Sequence, residues 1–150
     1  MAVGFIKTGA TLAKTLIRIR VLLVDDFEPF RLFVRAILQK NFDCRNILEA
    51  SDGAEAVELA EELKPDLVLL DIGLPTLNGI EAARRIRELS PKSKILFVSE
   101  NRSSEIREAA LSTGEGYVGK ADAGSELVGA INDVLRGEKP MSGGHGLTGT

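Results

Sequence analysis

The chain has no tryptophan, one tyrosine, one cysteine and one histidine. A single cysteine, Cys44, excludes an internal disulfide; its position reads as a small buried hydrophobe where a second strand begins. A single histidine, His145, set among glycines near the C-terminus, argues against a Ser/His dyad or a His-ligated metal site. No apolar run approaches the roughly 18 residues that a membrane span requires. Lys7 and Lys14 interrupt the N-terminal apolar stretch that would otherwise form a signal-peptide core, so a cytoplasmic location is expected, with no membrane partner. Nor is one sign of charge in excess: 19 Lys and Arg against 22 Asp and Glu give a formal net charge of −3. The basic element that nucleic-acid contact would need is lacking.

What is present is an ordinary globular composition, 44% hydrophobic and 27% charged over 150 residues, enough for one domain. Short apolar runs alternate with helical patterns. Strands are predicted at IRVLLV (19–24), NILEA (46–50), DLVLLD (66–71), KILFVS (94–99) and GYVGK (116–120), with the third the most apolar and therefore central. The first helix carries Phe30, Val34, Ile37 and Leu38 on one face. Asp52 with Glu55 resembles a capping box opening the second, which Pro65 closes. Asn78 caps a third, Ser103 or Ser104 opens a fourth that stops near Gly114, and Asp122 or Ser125 opens a fifth that Gly137 ends. Five strands alternating with five helices predict an α/β fold: a doubly wound, five-stranded parallel sheet with helices on both faces. Residues 17–138 form this domain. Residues 1–16 are a basic extension, frayed or lying as an amphipathic helix on a surface, and residues 139–150 a flexible tail.

Such sheets bind ligands at the carboxyl ends of their strands. Here the first strand ends in Asp25 and Asp26, the third in Asp71, the fourth in Ser99 and the fifth in Lys120. Each pair of carboxylates about 4 Å apart costs on the order of 4 kcal/mol at an effective dielectric near 20, so the cluster takes up a proton or a cation. An all-oxygen donor set suits a hard cation, and Mg²⁺ fits best where few protein ligands leave room for waters and a phosphate. Asp26 alone could equally cap the helix that follows it, and Lys120 alone could be a solvated lysine. Taken together, the five residues suit phosphoryl transfer, in which positioning and charge neutralisation carry most of the catalysis. Asp71 would attack phosphorus as the nucleophile, with Lys120 and Ser99 holding phosphoryl oxygens. Rival chemistries are disfavoured. The loop after the first strand begins DDFEP, which would repel a phosphate cradled there. No GxxxxGK[ST] loop is present. Gly73 stands where a haloacid-dehalogenase-type phosphatase needs a second acid.

These motifs, VLLVDD, LLDIGLPTLNGIEA, FVS and GYVGK, resemble the receiver domain of bacterial two-component response regulators over roughly residues 18–138, and most resemble the receivers usually joined to a helix-turn-helix output domain. The resemblance implies a flavodoxin-like three-layer sandwich with strand order 2-1-3-4-5. It also implies a phosphorelay switch that modifies only itself and turns over no metabolite. Asp71 would be the phosphoacceptor. Asp26 would contact Mg²⁺ directly, Asp25 largely through water, and Gly73 through its backbone carbonyl. Lys120 would bind phosphate, Ser99 and Tyr117 would form the switch pair, and Pro75 and Gly79 would shape the loop after Asp71. The implied partners are a sensor histidine kinase or histidine phosphotransfer protein, an unknown downstream protein, and a second copy through the face of the fourth helix, fifth strand and fifth helix.

Some positions stand apart. Glu100 follows the switch hydroxyl where the family often has a small residue, and Asn101 and Gly73 sit where it adjusts dephosphorylation. Leu32 lies off the apolar face of the first helix and Phe33 at its margin; they form a partner surface or pack locally. Tyr117 is a switch residue or a half-buried strand aromatic. With only about a dozen residues after the last helix, the chain reads as a stand-alone receiver or a piece of a longer protein. A receiver-like interaction module independent of phosphorylation is the second functional reading. A small-substrate phosphohydrolase is a third.

Overall fold

The computed structural model describes residues 18–137. The predicted N-terminal extension and the whole C-terminal tail, with His145, lie outside them. Five strands, β1 (Arg18–Val24), β2 (Asp43–Ala50), β3 (Leu67–Leu70), β4 (Lys94–Ser99) and β5 (Gly116–Gly119), alternate with five helices, α1 (Glu28–Asn41), α2 (Gly53–Leu63), α3 (Gly79–Leu89), α4 (Ser104–Thr113) and α5 (Ala123–Leu135). The strands form one parallel sheet of order β2-β1-β3-β4-β5, so the expected flavodoxin-like architecture is the observed one.

Side chains of a strand alternate between the faces of its sheet, and the core divides accordingly. Val21, Leu23, Leu67, Leu69, Leu96, Val98 and Val118 face α1 and α5, where they meet Val34, Leu38, Leu127, Ile131 and Val134. Leu22, Val24, Val68, Leu70, Ile95, Phe97 and Tyr117 face the other way, toward Ala56, Ala60, Ala83, Ile86 and Ala110 of α2, α3 and α4. All four residues of β3 are buried, as expected of a central strand covered on both faces.

The local signals act largely as predicted. The Asp52 carboxylate accepts from the Glu55 N–H at 2.8 Å, and Glu55 accepts from the Ser51 N–H, one residue earlier than a standard capping box. Asn78 accepts from the N–H groups of Ile80 and Glu81. Ser103, not Ser104, caps α4. Gly137, at φ +82°, follows the end of α5. α2 stops before Pro65, with Lys64 left-handed at its C-cap.

Three expectations need correction. β2 begins at Asp43, three residues before the predicted Asn46, because its first residues pair with Arg18 and Ile19 across a register shift. Cys44 is only partly buried. Asp26 caps nothing: α1 has Phe27 at its N-cap with no side-chain hydrogen bond, and Pro29 in its first turn.

Candidate functional site

β1 and β3 are adjacent, with Val24 opposite Leu70. The next residue of each chain is therefore an aspartate beside an aspartate. The ladder runs one step further, since the Asp71 N–H donates to the Val24 carbonyl at 3.0 Å and the Asp25 N–H to the Ala50 carbonyl at 3.1 Å. The pleat then sorts the side chains. Asp25 and Asp71 share parity with Leu23 and Leu69, and Lys120 with Val118, so all three belong to the α1/α5 side. Ser99 and Tyr117 share parity with Phe97 and belong to the α4 side.

The predicted residues meet. The Lys120 ammonium lies 2.7 Å from Asp25 Oδ2 and 3.2 Å from Asp71 Oδ2, and 4.7 Å from the centre of the Phe30 ring. Asp25, 2% exposed, is engaged at both oxygens, since Oδ1 accepts from the Phe27 N–H at 2.9 Å. Asp71 Oδ1 accepts from the Ile72 N–H at 2.7 Å. Asp26 is exposed and makes no hydrogen bond among the described residues. Oxygens of Asp25, Asp26 and Asp71 lie within 4.8 Å of one another, against one ammonium. Asp26, Asp71, Gly73, Ser99, Glu100 and Lys120 line one cleft of about 620 Å³, with Asp25 behind it.

The charges bear the marks of crowding. Burial raises the Asp25 carboxyl above its ordinary value; the hydrogen bonds from Lys120 and the Phe27 N–H oppose this, and the Asp71 charge adds to it. Burial alone would lower the Lys120 ammonium, but the hydrogen bond to Asp25 and the charge of Asp71 outweigh it and raise the value. One ammonium therefore does not neutralise the cluster. The donor set is all oxygen, and one carboxylate is exposed and otherwise uncommitted. These residues fit a small divalent cation.

Ser99 Oγ accepts from the Asn101 N–H at 3.2 Å, and the Tyr117 hydroxyl donates to the Asn101 carbonyl. Tyr117 is 5% exposed, more deeply placed than a half-buried strand aromatic. Burial raises its phenol, opposed by a hydrogen bond with Ser99 and by the charge of Arg107, whose guanidinium lies 5.4 Å from the ring centre. Glu100 is exposed at the rim of the cleft. Leu32 and Phe33 are 57% and 45% exposed, and Phe27, beside Asp26, is 59% exposed.

Some supporting residues were not read from the sequence. Arg31 donates to the Asp25 backbone carbonyl at 2.5 Å and to Glu49 at 2.7 Å, and Arg35 donates to Glu49 at 2.8 Å. The three tie α1 to β2 behind the acids. Gly53 is a second: a Cβ there would lie 1.9 Å from the Leu77 carbonyl oxygen, and its N–H reaches the Pro75 carbonyl. The loop after Asp71 also holds Thr76 at φ 70°. A lone Arg or Gly carries no such signal until the packing of the neighbouring segment is known.

A family model described as "Response regulator receiver domain" matches residues 21–132. The transcriptional regulatory protein LiaR of Bacillus subtilis (strain 168) is 42% identical over 128 residues, which cover 82% of this chain and 59% of that protein. The chemotaxis protein CheY of Halobacterium salinarum is 38% identical over 117 residues, 77% of this chain and 96% of that one. A crystal structure of a LuxR-family two-component response regulator from Aurantimonas sp. SI85-9A1 superposes with a TM-score of 0.78 at 35% identity, covering 84% of this chain and 91% of that chain. The chain thus spans less than two thirds of LiaR and nearly all of CheY. With the acids, the lysine and the hydroxyl gathered where its strands end, and a match extending from β1 into α5, the chain belongs to the response regulator receiver domain family.

Proposed function

We propose that the chain is a phosphorylation-controlled signalling switch, loaded on Asp71 by a sensor histidine kinase or a histidine phosphotransfer protein in the cytoplasm. The observation that carries this reading is the placement of Lys120 between Asp25 and the nearly buried Asp71 at the floor of an open cleft. A carboxylate oxygen of Asp71 attacks phosphorus, the P–N bond of the phosphohistidine breaks, and its electron pair leaves on the imidazole nitrogen, which returns to neutrality through solvent protons. Lys120 moves from Asp71 to a phosphoryl oxygen, and the Ser99 hydroxyl donates to another. Asp26, Asp71 and the Gly73 carbonyl would hold Mg²⁺ directly and Asp25 through water. Bound there, the ion would neutralise charge on the phosphoryl oxygens.

Phosphorylation adds charge and acceptor oxygens at this rim. It favours whichever conformer lets Ser99 and Lys120 reach them, and only by the difference in contact energy between conformers. In that conformer Tyr117 is turned inward behind Ser99, and α4, β5 and α5 form the surface that reports it, to a downstream protein or a second copy of the chain. Leu32 and Phe33 on α1 form the surface for the phosphodonor protein.

The test is acetyl phosphate with Mg²⁺, followed by intact mass. One phosphoryl group is expected on the wild type and none on Asp71→Ala. A phosphoryl group that survives Asp71→Ala overturns the assignment. No gain at all, with no stabilisation by Mg²⁺, would favour a phosphorylation-independent interaction module.

A further inference from the structure

The ammonium of Lys120 has a third neighbour besides Asp25 and Asp71, the face of the Phe30 ring, 4.7 Å from its centre. Lys120 stands on the 3₁₀ turn Lys120–Asp122 at the end of β5, and its four-carbon stem has no stiffness of its own. Two carboxylates alone would not place it well. Asp25 is the nearer and the more buried, at 2.7 Å against 3.2 Å, so the ammonium would sink toward Asp25 and away from the atom that receives the phosphoryl group. Solvent would draw it outward, yet only 13% of its side chain is exposed. The ring closes the remaining side. It is partly buried, packed against the α1/α5 core, and therefore fixed.

A ring attracts an ammonium through its quadrupole, over a short range and without net charge. A third carboxylate would bind the lysine too strongly to release it and would repel the incoming phosphoryl group. An aliphatic side chain would fill the space without attraction. We propose that Phe30 is the positioning residue of Lys120: its ring face holds the ammonium within reach of Asp71 and so sets the rate at which Asp71 is phosphorylated. This rests on the reading of Asp71 as the phosphoacceptor. Phe30 in turn lies against Phe33, 5.7 Å between ring centres, so the outer side of α1 is one aromatic step from the lysine.

The test is a graded one. Phe30 is replaced in the full chain by mono-, di- and trifluorophenylalanine, which keep the shape of the ring while its face loses negative potential stepwise. The rate of phosphorylation by acetyl phosphate with Mg²⁺ is followed by intact mass. The rate should fall at each step, by about three- to tenfold for the trifluoro ring. It should return toward the wild-type value in Phe30→Tyr, and stay unchanged when the trifluoro ring is instead placed at Phe42, buried at the far end of α1. Urea midpoints should be the same across the series. A flat series in a protein whose wild type is phosphorylated overturns the proposal and leaves Phe30 a packing residue. If the wild type is not phosphorylated, the reading of Asp71 has failed, and a second measurement still decides the contact. The ε-methylene protons of Lys120 should show an upfield ring-current shift that Phe30→Leu abolishes. No such shift in the wild type overturns the proposal.

Discussion

The sharpest test of the loop that carries Asp71 is a single methyl group at Gly79. A Cβ built there would lie 2.0 Å from the Asp71 carbonyl oxygen, 2.7 Å from Ile72 Cα and 2.8 Å from the Asp71 carbonyl carbon. All three atoms are backbone, so no flexible side chain can swing aside. α3 must retreat on the order of 1 Å to restore an ordinary contact, loosening the 2.8 Å hydrogen bond from the Gly79 N–H to the Ile72 carbonyl. Overpacking costs about 1–3 kcal/mol, and with backbone as the obstacle the upper end applies. The helical preference for alanine returns at most about 1 kcal/mol. A net loss of about 2 kcal/mol corresponds to a fall in Tm of roughly 6–12 °C for a domain of this size. Two of the three crowded atoms belong to Asp71 itself, so phosphorylation by acetyl phosphate should slow by about tenfold or more. Gly73→Ala, two residues beyond Asp71, is the control, because a Cβ there meets nothing within 4 Å; its stability should stay within about 0.5 kcal/mol of the wild type. Thermal unfolding and intact-mass kinetics on both variants decide the matter. A Gly79→Ala protein as stable and as active as the wild type would refute the steric reasoning.

Three other outcomes are expected. Asp26→Asn should raise the Tm of the metal-free protein, by removing one of three crowded carboxylates. It should also lose most of the stabilisation by Mg²⁺, about 2.7 kcal/mol in the wild type at a hundredfold excess over Kd, as scanning calorimetry with and without Mg²⁺ would show. Burial alone would raise the Glu49 carboxyl, but its hydrogen bonds to Arg31 and Arg35 and their charges outweigh this and lower it. Its contribution is therefore fully present above the ordinary value of 4.5 and is lost as pH falls through the lower folded value. Glu49→Gln should cost about 1 kcal/mol at pH 7, discounted for partial exposure, and the gap in urea unfolding should close in acid below that ordinary value. Leu32→Glu should slow transfer from the cognate kinase by about tenfold, or 1.4 kcal/mol, with the acetyl phosphate rate and the stability unchanged.

Most of this architecture was legible because parallel strands buried on both faces must be apolar throughout. Four of the five strands therefore stood out as short runs bounded by polar residues. β2 is an edge strand whose first residues are only partly covered, which hid its true start at Asp43. Asp25, Asp26, Asp71, Ser99 and Lys120 were legible as a group because each ends, or directly follows, such a run. The layer behind them was not. Arg31 and Arg35 meet Glu49 across 18 and 14 residues, and the close approach of Gly53 to Leu77 and of Gly79 to Asp71 depends on where two helices dock. Such contacts belong to packing, which has no period in the sequence. The inward position of Tyr117 is of the same kind, set by the Asn101 carbonyl and by Arg107 one turn into α4.

The two ends of the sheet divide the work differently. At the end where the strands begin, polar groups are paired without repulsion. Ser90 and Ser93 share a buried hydrogen bond at 2.7 Å and Ser93 donates to the Pro65 carbonyl. Arg87 donates to the Ser93 and Thr113 carbonyls and to Glu115, joining α3, α4 and the start of β5. No buried polar side-chain atom among the described residues lacks a partner. At the end where the strands finish, three carboxylates crowd together and one ammonium pairs with only two of them. An electrostatic cost can persist at that rim because the core and the opposite end carry the stability of the fold. That same cost is what a cation and a phosphoryl group can act on, since a ligand shifts a conformational equilibrium only where it changes an interaction energy. Removing Arg87 should therefore lower stability and leave the phosphorylation rate of the folded protein unchanged, whereas removing Lys120, the ammonium paired with both Asp25 and Asp71, should slow phosphorylation and also lower the stability of the metal-free protein, since it leaves buried carboxylates uncompensated.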